Sequence, residues 1–421
     1  MARLLYSLAW WLALPLVLAR LWWRGRREPG YRRHLGERLG FYRDRIAGRV
    51  IWVHAVSVGE TRAAEPLVDA LLAEWPDCTI LLSHMTPTGR ATGAAVFGRH
   101  GQRVVQCYLP YDTGFMVARF LRHFRPRIAI LMETEVWPNV MAQCARAAVP
   151  VALVNARLSA RSLAKAQRLP ALMREAARSM SCVAAQTEAD AERLRRFGTP
   201  HVHVTGSVKF DVTPPPAMLA AGAALRERIG RRPVWLCAST REGEEAMLLD
   251  ALLRDAWGDT LVLLVPRHPQ RFDQVAQEVA ARGLRLQRRS TLGDTSLAPD
   301  VQVLLGDTMG EMFAYYAACD LALIGGSLLP LGGQNLIEAC AVGKPVLLGP
   351  HTFNFAAASD DAIAAGAALR VTDAEDAVAQ ARRLLQANPE RQAMGSRAAA
   401  FAQQHRGATL RTMALLRALI R

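Results

Sequence analysis

The sequence lacks the spacings that mark several common kinds of site. Its seven cysteines include no Cys-x-x-Cys pair, which argues against a zinc site and is typical of buried thiols in a reducing cytoplasm. No G-x-G-x-x-G or Walker motif follows a predicted strand. A Rossmann dinucleotide site and P-loop ATP chemistry are therefore both disfavoured.

Acidic residues are scarce relative to basic ones. The chain has 37 Asp and Glu against 52 Lys and Arg, a formal net charge of +15. Such an excess indicates an anionic partner, either nucleic acid, acidic lipid or a phosphorylated substrate. We disfavour nucleic acid because the arginines occur along the whole chain and no recognition motif is present. Anionic headgroups and a phosphorylated lipid explain the charge more directly.

One long apolar run is present, at 4–23, and only Arg20 carries charge within it. As a helix, such a run spans about 30 Å, roughly one hydrocarbon thickness. A cleaved signal peptide is disfavoured, because no small-residue cleavage site follows and the basic residues lie on the far side of the run. The run predicts a membrane anchor. Its length and Pro15 are compatible both with a helix that crosses the bilayer and with one that lies in the interface.

A basic segment follows the run at once. Its arginines are Arg24, Arg26, Arg27, Arg32, Arg33, Arg38, Arg43, Arg45 and Arg49, and its acidic residues are Glu28, Glu37 and Asp44. By the positive-inside rule this excess keeps the following chain in the cytoplasm. We expect the body of the protein to lie on the cytoplasmic side of a membrane, against anionic lipids.

The rest of the chain predicts two domains of one architecture. A length of 421 residues exceeds what one core usually serves. Short β-rich runs alternate with helical patterns such as 63–74 and 188–197, which is typical of parallel sheets. The predicted strands are 50–54, 79–83, 103–109, 128–132, 151–155 and 182–186, then 234–238, 260–266, 284–287, 301–305, 321–324 and 346–348. The proline-rich stretch 211–216 is the predicted linker, and we expect two doubly wound domains facing a cleft.

Candidate site residues lie where predicted strands end, because parallel sheets bind ligands there. Ser57 and Glu60 have capping-box spacing, so Glu60 either caps a helix or acts as a general base. Glu133 and Glu135 close another strand, where they either pair with an arginine or belong to a site. Lys209, near the linker, is either a solvated lysine or a partner of an anionic donor or transition state.

The second half has three loops suited to anions. Arg267 and His268 stand between two prolines that hold the pair rigidly. Thr308–Glu311 repeats the capping-box spacing around Gly310, and glycines precede Asn335. We expect helices to start at Thr308 and Asn335 and to offer backbone N–H groups to phosphate. Glu338 either accepts hydrogen bonds from ribose hydroxyls or takes part in a cap with Asn335.

These motifs together resemble the 3-deoxy-D-manno-octulosonic acid (Kdo) transferases of Gram-negative bacteria. The resemblance runs nearly end to end. It rests on the anchor and on 54–60, 133–138, 155–157, 206–211, 265–269 and 325–338. It implies a GT-B glycosyltransferase with two Rossmann-like domains, an N-terminal anchor helix, and a final helix crossing back to the first domain. The expected division is 1–25 anchor, 26–212 acceptor-binding domain, 213–216 linker, 217–390 CMP-sugar-binding domain and 391–421 returning segment.

The resemblance also implies an activity, which is transfer of Kdo from CMP-Kdo to a hydroxyl of the lipid A precursor, lipid IVA, at the inner membrane. Glu60 matches the general base, while Glu133 and Lys209 match residues that stabilise the transition state. The CMP-binding positions are Arg267, His268, Met309, Gly310, Glu311, Asn335, Leu336, Ile337 and Glu338. Neither metal nor cofactor is expected, in keeping with the lack of Asp-x-Asp at strand ends.

Two other functions are compatible with the residues alone. One is a GT-B enzyme that acts on a UDP-sugar, such as an N-acetylglucosamine transferase or epimerase. The other is a membrane-tethered scaffold whose carboxylates serve only as helix caps. We rank the scaffold last, because so many site-like loops fall at strand ends.

Overall fold

The computed structural model describes residues 2–26, 28–43, 45–254 and 257–420. Arg27 and Asp44 of the predicted basic segment lie outside the described residues. The chain forms two compact units. Unit 1 comprises Met1–Asp211 together with Arg406–Arg421, and unit 2 comprises Val212–His405.

Unit 1 is built on a parallel sheet of seven strands in the order β3-β2-β1-β4-β5-β6-β7. The strands are β1 Arg49–His54, β2 Cys78–His84, β3 Val104–Tyr108, β4 Ile128–Met132, β5 Val151–Ala156, β6 Cys182–Ala185 and β7 Val202–Val204. Ile51, Trp52 and Val53 of β1 are all fully buried. This central strand is therefore covered on both faces, as a parallel sheet requires.

The helices of unit 1 pack on both faces of this sheet. They are Ala2–Arg24, Leu35–Arg38, Val58–Ala63, Glu65–Glu74, Pro87–Phe97, Gly114–Phe124, Pro138–Arg146, Ala160–Ala166, Pro170–Arg178, Glu188–Phe197 and Ala408–Arg417. One cluster joins Trp52 to Phe120 and Met141, and another joins Ile51 to Leu67 and Met413. Since neighbouring strand residues point to opposite faces, these clusters lie on the two sides of the sheet.

Unit 2 has a second parallel sheet of seven strands, in the order β10-β11-β9-β8-β12-β13-β14. The strands are β8 Val234–Thr240, β9 Leu261–Pro266, β10 Leu286–Arg288, β11 Val303–Leu305, β12 Leu321–Ile324, β13 Val346–Leu348 and β14 Ala368–Arg370. The helices are Pro216–Ile229, Glu244–Leu253, Phe272–Ala281, Met312–Ala318, Ile337–Ala341, Ala356–Ala364, Ala374–Gln386 and Asn388–Gln404.

Each sheet contains a point at which the strand order reverses. In unit 1 this point lies between β1 and β4, and in unit 2 between β8 and β12. Loops that leave two such strands in opposite directions open a crevice at their carboxyl ends, where ligands of these folds bind. The loops after these four strands are therefore the first places to look for a site.

The final helix, Ala408–Arg417, belongs to unit 1. Its Met413 and Leu416 are buried in the cluster with Leu67. Asp211, the last residue before the chain enters unit 2, accepts hydrogen bonds from the backbone N–H groups of Gly407 (2.6 Å) and Thr409. A carboxylate at this position also opposes the positive end of the helix dipole.

The first helix, Ala2–Arg24, is long and apolar enough to cross a membrane. It is compatible with the predicted anchor. Length and composition alone do not distinguish a helix that crosses a bilayer from one that lies along its surface.

Candidate active site

Glu60 lies at the carboxyl end of β1, in the first turn of the helix Val58–Ala63. The Ser57 side chain accepts a hydrogen bond from the Glu60 backbone N–H (3.3 Å) and donates one to Glu60 Oε1 (2.9 Å). Glu60 Oε2 accepts from the Val56 N–H (2.8 Å). Glu60 therefore takes part in a capping interaction at the start of this helix. A carboxylate has about four acceptor sites, so the cap leaves lone pairs of Glu60 free to take a proton.

The electrostatic surroundings of Glu60 favour its protonated form. The pKa of this carboxyl is raised from 4.5 to about 7, mainly by burial and also by the nearby charges of Glu135 and Glu133, against the hydrogen bonds from Val56 and Ser57. A carboxyl that titrates near neutrality is well matched to proton transfer. The loops after β1 and β4 therefore bring three carboxylates close together.

Glu133 follows β4 and is paired with a cation. Lys209 Nζ lies 2.8 Å from Glu133 Oε1, and the two side chains are only 20% and 15% exposed. The structure thus pairs two residues that are 76 positions apart. As the alternative to a role in a site, the sequence suggested that Glu133 forms an ion pair with an arginine, whereas the partner found is a lysine. Lys209 is accordingly not a solvated loop residue.

Asn155, at the end of β5, connects the two members of this pair. Its Oδ1 accepts from the Val208 N–H (3.2 Å), next to Lys209, and its Nδ2 donates to Glu133 Oε1 over 3.5 Å. Asn155 and Glu133 both have a left-handed backbone, with φ of 54° and 57°. Asparagine tolerates this conformation and glutamate does so less readily. Contacts with neighbouring residues therefore hold the backbone in this conformation at the two strand ends.

Glu135 completes the carboxylate cluster. Its Oε2 accepts from Trp137 Nε1 (2.8 Å), and burial raises its pKa, as does the charge of Glu133. The indole N–H supplies one of the hydrogen bonds that a partly buried carboxylate needs.

Arg267 and His268 lie after β9 in unit 2, as predicted. Burial and the charges of Arg241, Arg267 and Arg271 lower the pKa of His268. The lowered pKa favours the neutral imidazole, which can donate a hydrogen bond to an anion among these arginines. Arg241 follows β8, the neighbouring strand, so it joins Arg267 and His268 at the same edge of the sheet.

Met309, Gly310 and Glu311 follow β11. Glu311 accepts from Thr308 Oγ1, from Tyr315 OH (3.2 Å) and from Arg289 Nη2 (3.1 Å). The next helix starts at Met312, and not at Thr308 as the capping-box spacing predicted. Met309 is 63% exposed and Gly310 has a φ of 84°, so this loop leaves its backbone accessible to a ligand.

The loop after β12 ends in the short helix Ile337–Ala341, which again starts later than predicted. Asn335 Oδ1 accepts from the Ile337 N–H (3.0 Å), and its Nδ2 donates to Glu338 Oε1 (3.1 Å). Leu336 and Ile337 are buried. Their side chains belong to the core, and only their backbone can contribute to a site.

Comparisons with known proteins agree with the sequence motifs. The chain is 48% identical to a 3-deoxy-D-manno-octulosonic acid transferase of Bordetella pertussis, over 98% of both chains. The chain belongs to the Kdo transferase family. A Haemophilus influenzae enzyme of the same name is 35% identical over 99% of this chain and 98% of its own. The family model described as 3-deoxy-D-manno-octulosonic-acid transferase matches residues 33–212.

A solved structure shows the same fold. The Anabaena HepE protein, determined in complex with UDP-glucose, superposes with a TM-score of 0.58 over 88% of this chain and 99% of its own, at 16% identity. The predicted GT-B fold of two doubly wound domains is thereby confirmed. As a Kdo transferase, the protein is a glycosyltransferase.

Sequence reasoning missed Glu244, a buried residue of this Kdo transferase. Its Oε2 accepts from the N–H groups of Gly326 (2.6 Å) and Arg241 (2.9 Å), and its Oε1 from Leu328 N–H (3.0 Å). One carboxylate thus ties the loops after β8 and β12 together at the reversal point. The sequence signal that could have found Glu244 is its spacing of three residues from Arg241, directly after a predicted strand. Among the described residues, no group of three or more His, Cys, Asp or Glu could hold a metal ion.

Proposed function

We propose that this Kdo transferase moves Kdo from CMP-Kdo to a hydroxyl of the lipid A precursor lipid IVA and releases CMP. The transfer inverts the anomeric centre and needs no metal ion. Unit 1 binds the acceptor and unit 2 binds the nucleotide, with the chain between 213 and 216 as their linker. The enzyme works on the cytoplasmic face of the inner membrane, where its first helix anchors it.

The observation that carries this proposal is the state of Glu60. Its carboxyl lies at the reversal point of unit 1 with a pKa raised to about 7 by burial. At neutral pH a large fraction is ionised and can accept the hydroxyl proton of the acceptor as the oxygen attacks the anomeric carbon. The bond from that carbon to the CMP phosphate breaks in the same displacement, on the opposite side.

The departing phosphate gains negative charge and needs cationic partners. Arg267 and His268 supply a guanidinium and a hydrogen-bonding imidazole at the carboxyl end of β9, where Arg241 adds a further positive charge. Preorganised donors of this kind stabilise charge that develops in a transition state. The backbone around Gly310 and Asn335 supports the nucleotide.

Lys209 and Glu133 act as a pair in the transition state. The anomeric carbon becomes positive as the phosphate leaves, and a carboxylate opposes that charge. The ion pair at 2.8 Å holds the two side chains in place at the carboxyl end of β4.

The test is the variant Glu60→Gln, with Ser57→Ala as its control. The glutamine keeps CMP binding but lowers turnover by about 100-fold or more, the usual scale for loss of a general base. Ser57→Ala removes the capping hydroxyl at a cost of about 1 kcal/mol in stability and keeps the carboxylate. Turnover is measured by mass spectrometry of lipid IVA incubated with CMP-Kdo. A Glu60→Gln enzyme with near-normal turnover would remove Glu60 from this role.

Metal independence is tested in the same assay. Incubation with EDTA followed by removal of the chelator leaves turnover unchanged, because the proposed charge stabilisation comes entirely from the protein's own side chains and backbone. Turnover that falls with EDTA and returns with added Mg²⁺ contradicts this part of the proposal.

A further inference from the structure

The first helix is fastened to unit 1 over a docked stretch that ends at Arg3 and Leu18. Near its start, Arg3 Nη1 lies 2.6 Å from Glu175 Oε1. Further along, Val17 and Leu18 pack against the cluster of Leu14, Tyr111 and Met116. A helix of 23 residues is about 34 Å long. Most of its length therefore runs along the globular body.

The contacts between these ends are polar as well as apolar. Tyr6 OH donates to Asp112 Oδ2 (2.9 Å) and Ser7 Oγ donates to Asn139 Oδ1 (3.1 Å). The rings of Trp10 and Tyr111 stack with centroids 5.8 Å apart. One turn later, Leu14 packs against Tyr111 in the same small cluster.

Asp112 makes this attachment specific. It is fully buried and also accepts from the N–H groups of Asn139 (3.1 Å) and Val140 (2.9 Å). Burial raises the pKa of Asp112 to about 6, and a buried carboxylate needs every hydrogen bond it can obtain. A helix standing alone in hydrocarbon would leave Tyr6 and Ser7 without these partners, and a polar group without a partner is unfavourable there.

The opposite face of the helix is a continuous apolar surface. Leu4, Leu8, Leu12 and Leu16 follow one another at one-turn spacing, and all four are more than half exposed. Phe115 of the body extends this surface. It is 56% exposed and lines one surface depression with the helix. Exposed apolar area of this extent marks an interaction site.

Arginines border the apolar surface. Arg146 and Arg178 line a second depression with Arg3 at the start of the helix. The guanidinium of Arg119 lies over the rings of Phe41 (3.8 Å) and Phe115 (5.7 Å). Apolar side chains flanked by arginines match the boundary between acyl chains and anionic headgroups, since the guanidinium stays at headgroup level above a buried stem.

We propose that the first helix lies in the plane of the membrane interface, docked along most of its length on unit 1, with its leucine face and Phe115 immersed in one anionic leaflet. The helix does not cross the bilayer. Both of its ends stay on the side of the body, and the attachment is monotopic. This proposal is independent of the donor and the acceptor.

The sidedness of residue 2 tests the proposal. All seven native cysteines are buried, so a single introduced cysteine can be labelled selectively. In the full chain, Ala2→Cys and the body position Ala164→Cys, both exposed, are treated with a membrane-impermeant maleimide in inside-out and right-side-out vesicles. We expect both positions to label from the same side. Labelling of Ala2→Cys from the side opposite to Ala164→Cys would overturn the proposal.

Cross-linking in membranes tests the docking itself. Ser7→Cys with Asn139→Cys is expected to form a disulfide in native membranes, whereas Leu8→Cys with Asn139→Cys is not, because Leu8 points away. Arg3→Cys with Glu175→Cys, joined by a bifunctional maleimide, repeats the test at exposed positions where folding is less at risk. Failure of both docked pairs to cross-link in membranes would disprove the docked helix.

Flotation with lipid vesicles tests the lipid partner. Arg146→Gln with Arg178→Gln should weaken binding to vesicles that contain phosphatidylglycerol by about fivefold per charge removed, and leave binding to pure phosphatidylcholine unchanged. The control, Arg99→Gln with Arg417→Gln, removes two arginines that bind helix Glu65–Glu74 on the other face of the sheet. Equal loss in the two double variants contradicts the proposed lipid face.

Discussion

Glu60 has the features expected of both predicted roles, the helix cap and the general base. The Ser57 side chain caps the Glu60 N–H, and the Glu60 carboxylate accepts from the Ser57 hydroxyl and the Val56 N–H, while burial gives the same carboxyl a pKa near neutrality. Spacing alone predicted both roles and could not choose between them, because the choice depends on burial and on the charges of Glu133 and Glu135. Those residues come from another strand.

The raised pKa of Glu60 predicts a pH-dependent cost in stability. The folded protein holds this proton more tightly than the unfolded chain, with a pKa of about 7 against 4.5. The group's contribution to stability is therefore fully present below the unfolded value and is lost as pH rises to about 7. Glu60→Gln should raise the melting temperature relative to the parent more at about pH 8 than at about pH 5. The exposed Glu192→Gln serves as control, and equal shifts at both pH values contradict the raised pKa.

Substitutions of Asn155 test how much turnover depends on the positions of Glu133 and Lys209. Asn155→Asp keeps the left-handed backbone and the acceptor for Val208, but places an anion against Glu133. We expect turnover to fall by about 10- to 100-fold through misplacement of Glu133 and Lys209, with CMP binding unchanged. Asn155→Gly is the second variant, because glycine allows the left-handed backbone but has no side chain to form these hydrogen bonds. Turnover of the aspartate variant equal to the parent would show that Asn155 has no positioning role.

At the scale of elements, strands were predicted better than helix starts. Ile128–Met132, Leu321–Ile324 and Val346–Leu348 have the predicted bounds, because continuous apolar runs mark strands buried on both faces. Val202–Val204 and Ala368–Arg370 were missed. Both are three-residue strands at a sheet edge, and they carry little apolar signal.

Helices start later than the capping-box spacing predicts, because the side chains with that spacing also form hydrogen bonds with other residues. Thr308 and Glu311 do form a hydrogen bond, yet Glu311 also accepts from Tyr315 and Arg289, and the helix begins only at Met312. A spacing of three residues predicts that two side chains meet and does not tell where the first helical turn lies. The predicted helix 63–74 likewise starts later, as Glu65–Glu74, and Ala63 ends the preceding helix Val58–Ala63.

Asp211 allows a test of the returning helix. Asp211→Ala should lower the free energy of unfolding by about 1 kcal/mol, the usual value of an N-terminal cap. In a unit of this size that corresponds to a fall of about 2–4 °C in melting temperature. Asp211→Asn keeps one acceptor and should lose less. A calorimetric scan measures both variants, and an unchanged melting temperature for the alanine variant would show that the cap contributes nothing.

At the scale of the molecule, the two units place opposite charges at corresponding points. The reversal point of unit 1 collects Glu60, Glu133 and Glu135, whereas the loops after the neighbouring strands β8 and β9 of unit 2 collect Arg241 beside Arg267 and His268. The net charge of +15 predicted an anionic partner but not this division. Which loops lie side by side follows from strand order, and strand order is not visible in composition.

Nucleotide preference distinguishes the proposed donor from a UDP-sugar. CMP at about 100 times its dissociation constant should stabilise the folded enzyme by about 2.7 kcal/mol, and UMP at the same concentration should stabilise it less. Thermal unfolding of the full chain with each nucleotide measures this difference. Arg267→Gln should reduce the shift with CMP, whereas the distant Arg99→Gln should not. A larger shift with UMP would favour the UDP-sugar enzyme.

The bond from Asp211 to Gly407 has a consequence for engineering. It brings together the residue at which the chain leaves unit 1 and the residue at which it comes back, so unit 2 is in effect an insertion with adjoining ends. A short bridge of a few residues between them would close unit 1 on itself. The same two junctions are the places at which the corresponding portion of another transferase would be joined, so that unit 2 is exchanged while unit 1 is kept.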